Sequence, residues 1–241
     1  MTNLRQSLLK RFNRRIHKDM ALVTHEGNAF LLDTSNRLDM KLMGGMNWER
    51  GLRDRAVKVI KDNRLDVFID AGANLGLYTI DLNRRCGLKT TIAFEPLPKN
   101  FNQICGNIFA NHLSDHVTAR CEALSDADGS AFLRVDTANT IHSTLTTDSH
   151  NPERFDKTIE VPLVRFDNHY KIEGQRVFIK MDVEGHEPSA LKGMSDFLAR
   201  NKACLQIESF NENIDTIGRQ LSNLGYTSQG HIENDYFFSN L

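Results

Sequence analysis

Four titratable residues crowd the stretch "IKMDVEGHEPSAL": Asp182, Glu184, His186 and Glu187. They follow an apolar, strand-like run and precede a helix-like one. Carboxylates and an imidazole at such spacing can take up and return protons. Acidic residues also cap helix N-termini, and the position alone fits that role as well. A further carboxylate, Glu208, ends the run "ACLQIES". If the two runs are neighbouring strands, Asp182 and Glu208 could share a divalent metal or orient a substrate hydroxyl.

A second constellation lies upstream in "VFIDAGANLGLYTI". Asp70 ends a strand-like run, and Gly72, Asn74 and Gly76 follow. Gly72 lets the backbone come close to a ligand, and Gly76 allows tight packing of the next helix. The spacing is not G-x-G-x-x-G, so the glycine that makes room for a pyrophosphate is missing. A P-loop is excluded as well. Asp70 repels phosphate but suits an ammonium or sulfonium group. Glu95 ends the next strand-like run, about 20 residues on, where a carboxylate accepts bonds from both ribose hydroxyls. Nicotinamide and S-adenosylmethionine enzymes share that feature. The residues therefore indicate an adenosine-type cofactor without choosing between the two.

These groups need a scaffold that brings strand ends together. "DVFID" (66–70), "TTIAFE" (90–95), "HVTARCEAL" (116–124), "GSAFLRV" (129–135), "TIEVPLVRF" (158–166), "RVFIKMD" (176–182) and "ACLQIES" (203–209) read as strands. Helical periodicity joins Leu75, Tyr78, Thr79 and Leu82. It recurs in Phe101, Ile104, Cys105, Ile108 and Phe109, then in Ala190, Leu191, Met194, Phe197 and Leu198, and last in Ile214, Ile217, Leu221 and Leu224. Strands alternating with helices predict an α/β fold with a mostly parallel sheet, and ligands beyond the strands' carboxyl ends. "GYTSQGHIENDYFFSN" predicts two final strands around a turn. Residues 22–43 read as a β-rich opening segment, and Trp48 starts a helix with Leu52, Ala56, Val59 and Ile60 on one face. Residues 61–241 are expected to form the cofactor-binding domain, with residues 1–60 packed on it.

The 30 basic and 31 acidic residues leave a net charge of −1, so nothing draws the chain toward nucleic acid. Cys86, Cys105, Cys121 and Cys204 form no C-x-x-C pair and sit in or beside apolar sequence, which predicts buried thiols in a reducing compartment. No apolar run nears the roughly 20 residues of a membrane span, and the N-terminus lacks a signal-peptide core. A cytoplasmic protein is expected. Leu4, Leu8, Phe12 and Ile16 line one helix face among Arg5, Lys10, Arg11, Arg14, Arg15 and Lys18. Such a helix could touch an anionic membrane or glycolipid, or dock on the domain. The polar stretch 136–158 could be a lid or an acceptor-binding loop, with His142, Ser143, Thr144 and His150 bonding sugar hydroxyls.

"FIDAGANLGLYT", "FEPLPKNF", "EALSDADG", "IKMDVEGHEPSALKGM" and "LQIES" occur in this order. Together they resemble the FkbM family of S-adenosylmethionine-dependent methyltransferases over about residues 25–240. The resemblance implies a class I methyltransferase fold: a Rossmann-like, seven-stranded sheet ending in an antiparallel hairpin. It implies O-methylation of a sugar, glycan or polyketide hydroxyl. Asp70, Gly72 and Asn74 would face the methionine part of the cofactor, with Thr79 near its carboxylate. Glu95 would hold the ribose, and Ala123 and Leu124 would border the adenine. Asp182, Glu184 and His186 would line the reaction centre, with Glu208 opposite. His186 is the first candidate for the base, since imidazole titrates near neutral pH, and Asp182 is the second. A nicotinamide-dependent oxidoreductase and a non-catalytic scaffold are the competing readings.

Overall fold

The computed structural model describes residues 20–137, 143, 145, 155–210 and 213–241. The basic N-terminal stripe and His142, Thr144 and His150 lie outside the described residues. In chain order the elements are β1 (Met20–His25), β2 (Asn28–Asp33), α1 (Arg37–Met43), α2 (Arg50–Asp62), β3 (Val67–Ala71), α3 (Leu77–Cys86), β4 (Thr90–Phe94) and α4 (Pro98–Ala110). There follow β5 (Val117–Arg120), β6 (Ala123–Leu124), β7 (Gly129–Val135), β8 (Lys157–Val164) and α5 (Phe166–His169). The chain closes with β9 (Arg176–Met181), α6 (Glu187–Gly193), α7 (Ser195–Arg200), β10 (Lys202–Glu208), α8 (Ile214–Asn223), β11 (Thr227–Ile232) and β12 (Asp235–Ser239).

The main sheet has seven strands in the order β11-β12-β10-β9-β3-β4-β5. Every pairing is parallel except the two made by β12. This is the mostly parallel sheet with an antiparallel terminal hairpin that the sequence predicts. From β3 the chain winds outward through β4 and β5, then returns to β9 on the other side of β3. The order reverses there, so a crevice opens at the carboxyl ends of β3, β4 and β9.

Pleating sends alternate residues to opposite faces. Val67, Ile69, Val177, Ile179, Ala203 and Leu205 pack under Leu191, Met194, Phe197, Ile217 and Leu221 of the helices that follow β9 and β10. On the other face Phe68, Phe178 and Cys204 meet Ala56, Val57 and Ile60 of α2 and Tyr78 and Leu82 of α3.

Residues before β3 belong to the same body. Phe30, Leu32, Leu38 and Leu42 share a core with Leu75, Ile80, Ile104 and Ile108. Each such burial contributes about 1.5–3 kcal/mol. Polar groups join the same contact. Gln103 and Asn107 of α4 donate to Leu31 O and Leu75 O, and Asn111 just past the helix donates to Ala29 O; Asn107 and Asn111 accept from Leu31 N and Ala29 N. These side chains bond the backbone of β2, whose strand partner among the described residues is β1. α4 thus buries Gln103 and Asn107 beside Ile104 and Ile108 and leaves Phe109 exposed, where periodicity alone had placed Phe109 and Cys105 on the inner face.

Three other local expectations change. "RLDMKLM" is helix rather than strand: the Asn36 side chain accepts from Leu38 N and Asp39 N, and Leu38 and Leu42 fall on one buried face. "HVTARCEAL" divides, with β5 in the main sheet and β6 joining β7 and β8 in a small sheet of order β6-β8-β7. The helix from Ala190 to Leu198 is two short ones meeting at Met194. There the backbone of Gly193 lies so close to Ser125 that a Cβ would meet its carbonyl oxygen at 1.8 Å.

Candidate active site

The α2-facing side of the sheet changes character over one pleat. Phe68, Phe178 and Cys204 stand in register across β3, β9 and β10. Two residues further on, Asp70, Lys180 and Gln206 are in register. One more pleat brings Gly72, Asp182 and Glu208 to the strand ends. Asp182 N donates to Ala71 O at 2.9 Å, continuing the ladder. An apolar layer thus supports a buried polar layer, which supports the rim of the crevice.

Gly72 has a φ of +82°, and a Cβ there would meet Asp182 O at 1.7 Å. Its bare Cα therefore first admits the neighbouring strand's backbone. Gly76, at φ +89°, would bring a Cβ to 2.7 Å from Ile104 Cγ1. It serves the packing of α3 on α4 and lines neither lobe of the crevice.

The crevice has two adjoining lobes that share Gly72, Asn74 and Asp182. The first encloses about 620 Å³ and is lined by Phe94, Glu95, Pro96, Ala123, Leu124, Leu133, Ser143, Leu145 and Glu184 among others. The second encloses about 480 Å³ among Leu38, Trp48, Glu49, Asp70, Tyr78 and Lys180. Ser143 and Leu145 line the first lobe.

Glu95 is buried at the β4 end. Its Oε2 accepts from Asn74 N at 2.8 Å and its Oε1 from Leu97 N at 2.9 Å. Burial raises its carboxyl to about 7 against those two bonds, and Asp70 adds to the rise. The Asn100 side chain bonds the same carboxyl, which leaves one acceptor site for a ligand. Asp70 is raised to about 6 by burial, with Thr79 and Lys180 acting the other way. Thr79 is wholly buried and donates its hydroxyl to Asp70 Oδ2. It orients Asp70 from below and does not face a cofactor carboxylate.

Asp182 and Glu208 stand together as expected, in hydrogen-bonding contact. Burial, with Glu208 and Glu184 adding, holds Asp182 well above the usual carboxylate range although Lys180 opposes it. Glu208 is raised by burial as well. Two such groups compete for one proton. As metal candidates they have a rival for the position, because the Lys180 ammonium lies 3.8 Å from Asp182 Oδ2 and 3.5 Å from Glu208 Oε2. Among the described residues no three His, Cys, Asp or Glu side chains are grouped to hold a metal.

His186 is turned elsewhere. Its Nε2 is 3.0 Å from Ser125 Oγ, and the ring lines neither lobe. Burial lowers its pKa, with Asp126 acting against that. Glu187 is structural: its Oε1 accepts from Gly185 N, fixing the turn in which Glu184 takes a φ of +51° and Gly185 one of +99°.

Sequence reasoning missed Lys180, Trp48, Glu49 and Tyr78. Lys180 did leave a signal, a lysine in the otherwise apolar run "VFIKM". Its Nζ is buried and has no hydrogen-bond partner among the described residues. Asp235 Oδ1, at 3.6 Å, is the third carboxylate near it, and the Tyr78 ring is 5.5 Å away. Burial works against the charge, but Asp182, Tyr78, Asp235 and Glu208 outweigh it and hold the ammonium well above its ordinary value. Among the described lining residues of both lobes Lys180 is the one cation, against Glu49, Asp70, Glu95, Glu122, Asp182 and Glu184.

Residues 70–228 match the family described as the methyltransferase FkbM domain. "Methyltransferase 1" of Beauveria bassiana (strain ARSEF 2860) is 25% identical over 145 residues, which are 53% of this chain and 58% of that protein. The match thus spans under two thirds of this curated relative. Among solved structures, M. jannaschii TYW2 in complex with AdoMet is similar with a TM-score of 0.47 and 15% identity, covering 92% of this chain and 87% of that one. Precorrin-6y C5,15-methyltransferase from Geobacter metallireducens GS-15 gives a TM-score of 0.44 and 14% identity, with 78% and 85% covered. Among the described residues no helix is long and apolar enough to cross a membrane. The family match takes in Asp70, Glu95, Lys180, Asp182 and Glu208, all the charged groups at the ends of β3, β4, β9 and β10, and the chain belongs to the FkbM family of S-adenosylmethionine-dependent methyltransferases.

Proposed function

We propose that the protein methylates a hydroxyl oxygen, on a sugar, a glycan or another secondary metabolite, using S-adenosylmethionine. The residues of the crevice fit this donor. Phe94, Pro96, Ala123, Leu124 and Leu133 give the first lobe apolar walls for a flat base. Glu95 lines this lobe and keeps one acceptor site for a ribose hydroxyl. Asn74 and the bare Gly72 lie where the lobes join, Asp70 lines the second lobe, and ionised carboxylates there favour a sulfonium charge. When bound, the donor supplies an electrophilic methyl carbon, which gains a bond to oxygen as its bond to sulfur breaks and that electron pair stays on sulfur.

An alcohol is a poor nucleophile at neutral pH, and alignment alone leaves its proton in place. The Asp182–Glu208 pair carries the reading, as two carboxyls at adjacent strand ends, raised by burial and sharing one proton. The pair can accept the hydroxyl proton as the new bond forms. His186, bonded to Ser125, is not placed for this.

Asp182→Asn removes one member and keeps its shape. The expected outcome is a fall in kcat of about 10²–10⁴, the usual worth of a positioned base, with binding of S-adenosylhomocysteine retained. Release of S-adenosylhomocysteine in the presence of a panel of sugar and polyol acceptors measures it. An Asp182→Asn protein that turns over like wild type ends the proposal that this pair is the base.

A further inference from the structure

Lys180 is a buried donor left without an acceptor, a condition that costs free energy unless something else meets it. Its side chain is 4% exposed, its Nζ is buried, and the residue lines the second lobe. Asp182 just past β9, Glu208 of β10 and Asp235 of β12 frame it at 3.5–3.8 Å. These distances give charge balance but lie beyond hydrogen bonding. The ammonium thus keeps its N–H groups for a ligand atom, beside carboxylates able to accept a proton.

The ligand atom's charge follows from its surroundings. A phosphate or carboxylate on Lys180 would also face Glu49, Asp70 and Asp182, which line the same lobe. A cation would meet the ammonium itself. A neutral oxygen that accepts and donates suits both partners: it takes an N–H from Lys180 and gives its own O–H to Asp182 or Glu208. We propose that Lys180 is the anchor of the acceptor, binding the reacting hydroxyl of an uncharged polyol between its Nζ and the Asp182–Glu208 pair. This rests on the methyltransferase reading and adds the residue that holds the acceptor and the charge class it takes. The N–H bond also withdraws charge from the oxygen, easing passage of its proton to the pair, so Lys180 acts on the reacting atom itself.

Two measurements test it. S-adenosylhomocysteine is titrated calorimetrically into wild-type and Lys180→Met protein, and crystals of the wild-type S-adenosylhomocysteine complex are soaked to saturation in methyl α-D-glucopyranoside, a neutral polyol. The expected results are a Kd changed less than about tenfold by Lys180→Met, under 1.4 kcal/mol, and a sugar hydroxyl bonded to both Lys180 Nζ and Asp182 or Glu208. Three results overturn it: the carboxylate of S-adenosylhomocysteine bonded to Nζ, a Kd weakened about tenfold or more, or an Nζ still without a ligand partner in the saturated crystal. The soak needs no variant, so it decides even if Lys180→Met does not fold. Wild-type protein that fails to bind S-adenosylhomocysteine refutes the donor reading instead, and is told apart by that.

Discussion

Two cations are buried on the same side of the sheet, and they are buried differently. Arg53 of α2 is fully enclosed. Its Nη1 lies 2.8 Å from both Asp81 Oδ2 and Glu26 Oε2, and its Nε and Nη2 donate to Trp48 O. The fork donates to Asp81 Oδ2 and Trp48 O and pairs by charge with Glu26, and these contacts tie the β1–β2 turn, the start of α2 and α3 together. Lys180 is buried nearly as deeply, yet its carboxylates stay 3.5 Å or more away. A saturated buried charge maintains structure, whereas an unsaturated one at the mouth of a crevice is kept for a ligand. The two are linked, since Trp48, whose carbonyl Arg53 holds, and Lys180 line the same lobe.

Arg53→Met tests the structural side of that contrast and has the largest expected effect. Removing one partner of a buried, bonded ion group leaves carboxylates without compensation, at about 3–5 kcal/mol. Urea denaturation at pH 7 should show that loss. An unchanged midpoint would mean that Arg53 is no staple.

The two regions should also differ in sign with pH. Burial tends to raise Glu26, but bonds from Arg53 and Arg50 outweigh it and hold its pKa below the ordinary 4.5. It therefore adds stability above pH 4.5 that is lost on acidification. Glu95 is the reverse, raised to about 7. Between pH 4.5 and 7 the folded chain holds a proton there that the unfolded chain has released, so stability falls as pH rises through that window. Glu95→Gln should abolish roughly 2–3 kcal/mol of this loss, seen as a smaller difference between denaturation at pH 5 and at pH 8. An equal difference in both proteins would remove Glu95 as its source.

Neither cation stood out in the sequence, for different reasons. Arg53 sits in "RGLRDRAVKV" among bases that face solvent, and its acceptors are Glu26 and Asp81, far off along the chain. Periodicity placed Leu52, Ala56, Val59 and Ile60 on the inner face, while the structure buries Arg53, Ala56, Val57 and Ile60. Lys180 was legible in principle, since alternation from Phe178 puts it one pleat below Asp182. The sheet and its strand ends were readable because apolar runs of strand length have few other solutions. The lobe walls from Leu38, Trp48 and Glu49 were not, because they depend on how residues before β3 dock on α4 and α3. His186 misled for a related reason: its neighbour Ser125 comes from another sheet.

Lys180→Met should have the smallest effect on the fold, and this sharpens the contrast most. Its partners differ from those of Arg53 in what they do when the cation is removed. Burial already favours the protonated forms of Asp182 and Glu208, so a further proton meets less opposition there than at Glu26. Glu26 is held in the ionised form and must be forced to take a proton. No hydrogen bond from Lys180 to the described residues is lost either, since none is made. The expected loss is below about 1.5 kcal/mol, against the 3–5 kcal/mol typical of a bonded buried pair. The two variants denatured side by side in urea at pH 7 give the comparison. Equal losses would mean that the long contacts around Lys180 hold the fold as firmly as the short ones around Arg53, and the ammonium would then have no free capacity for a ligand.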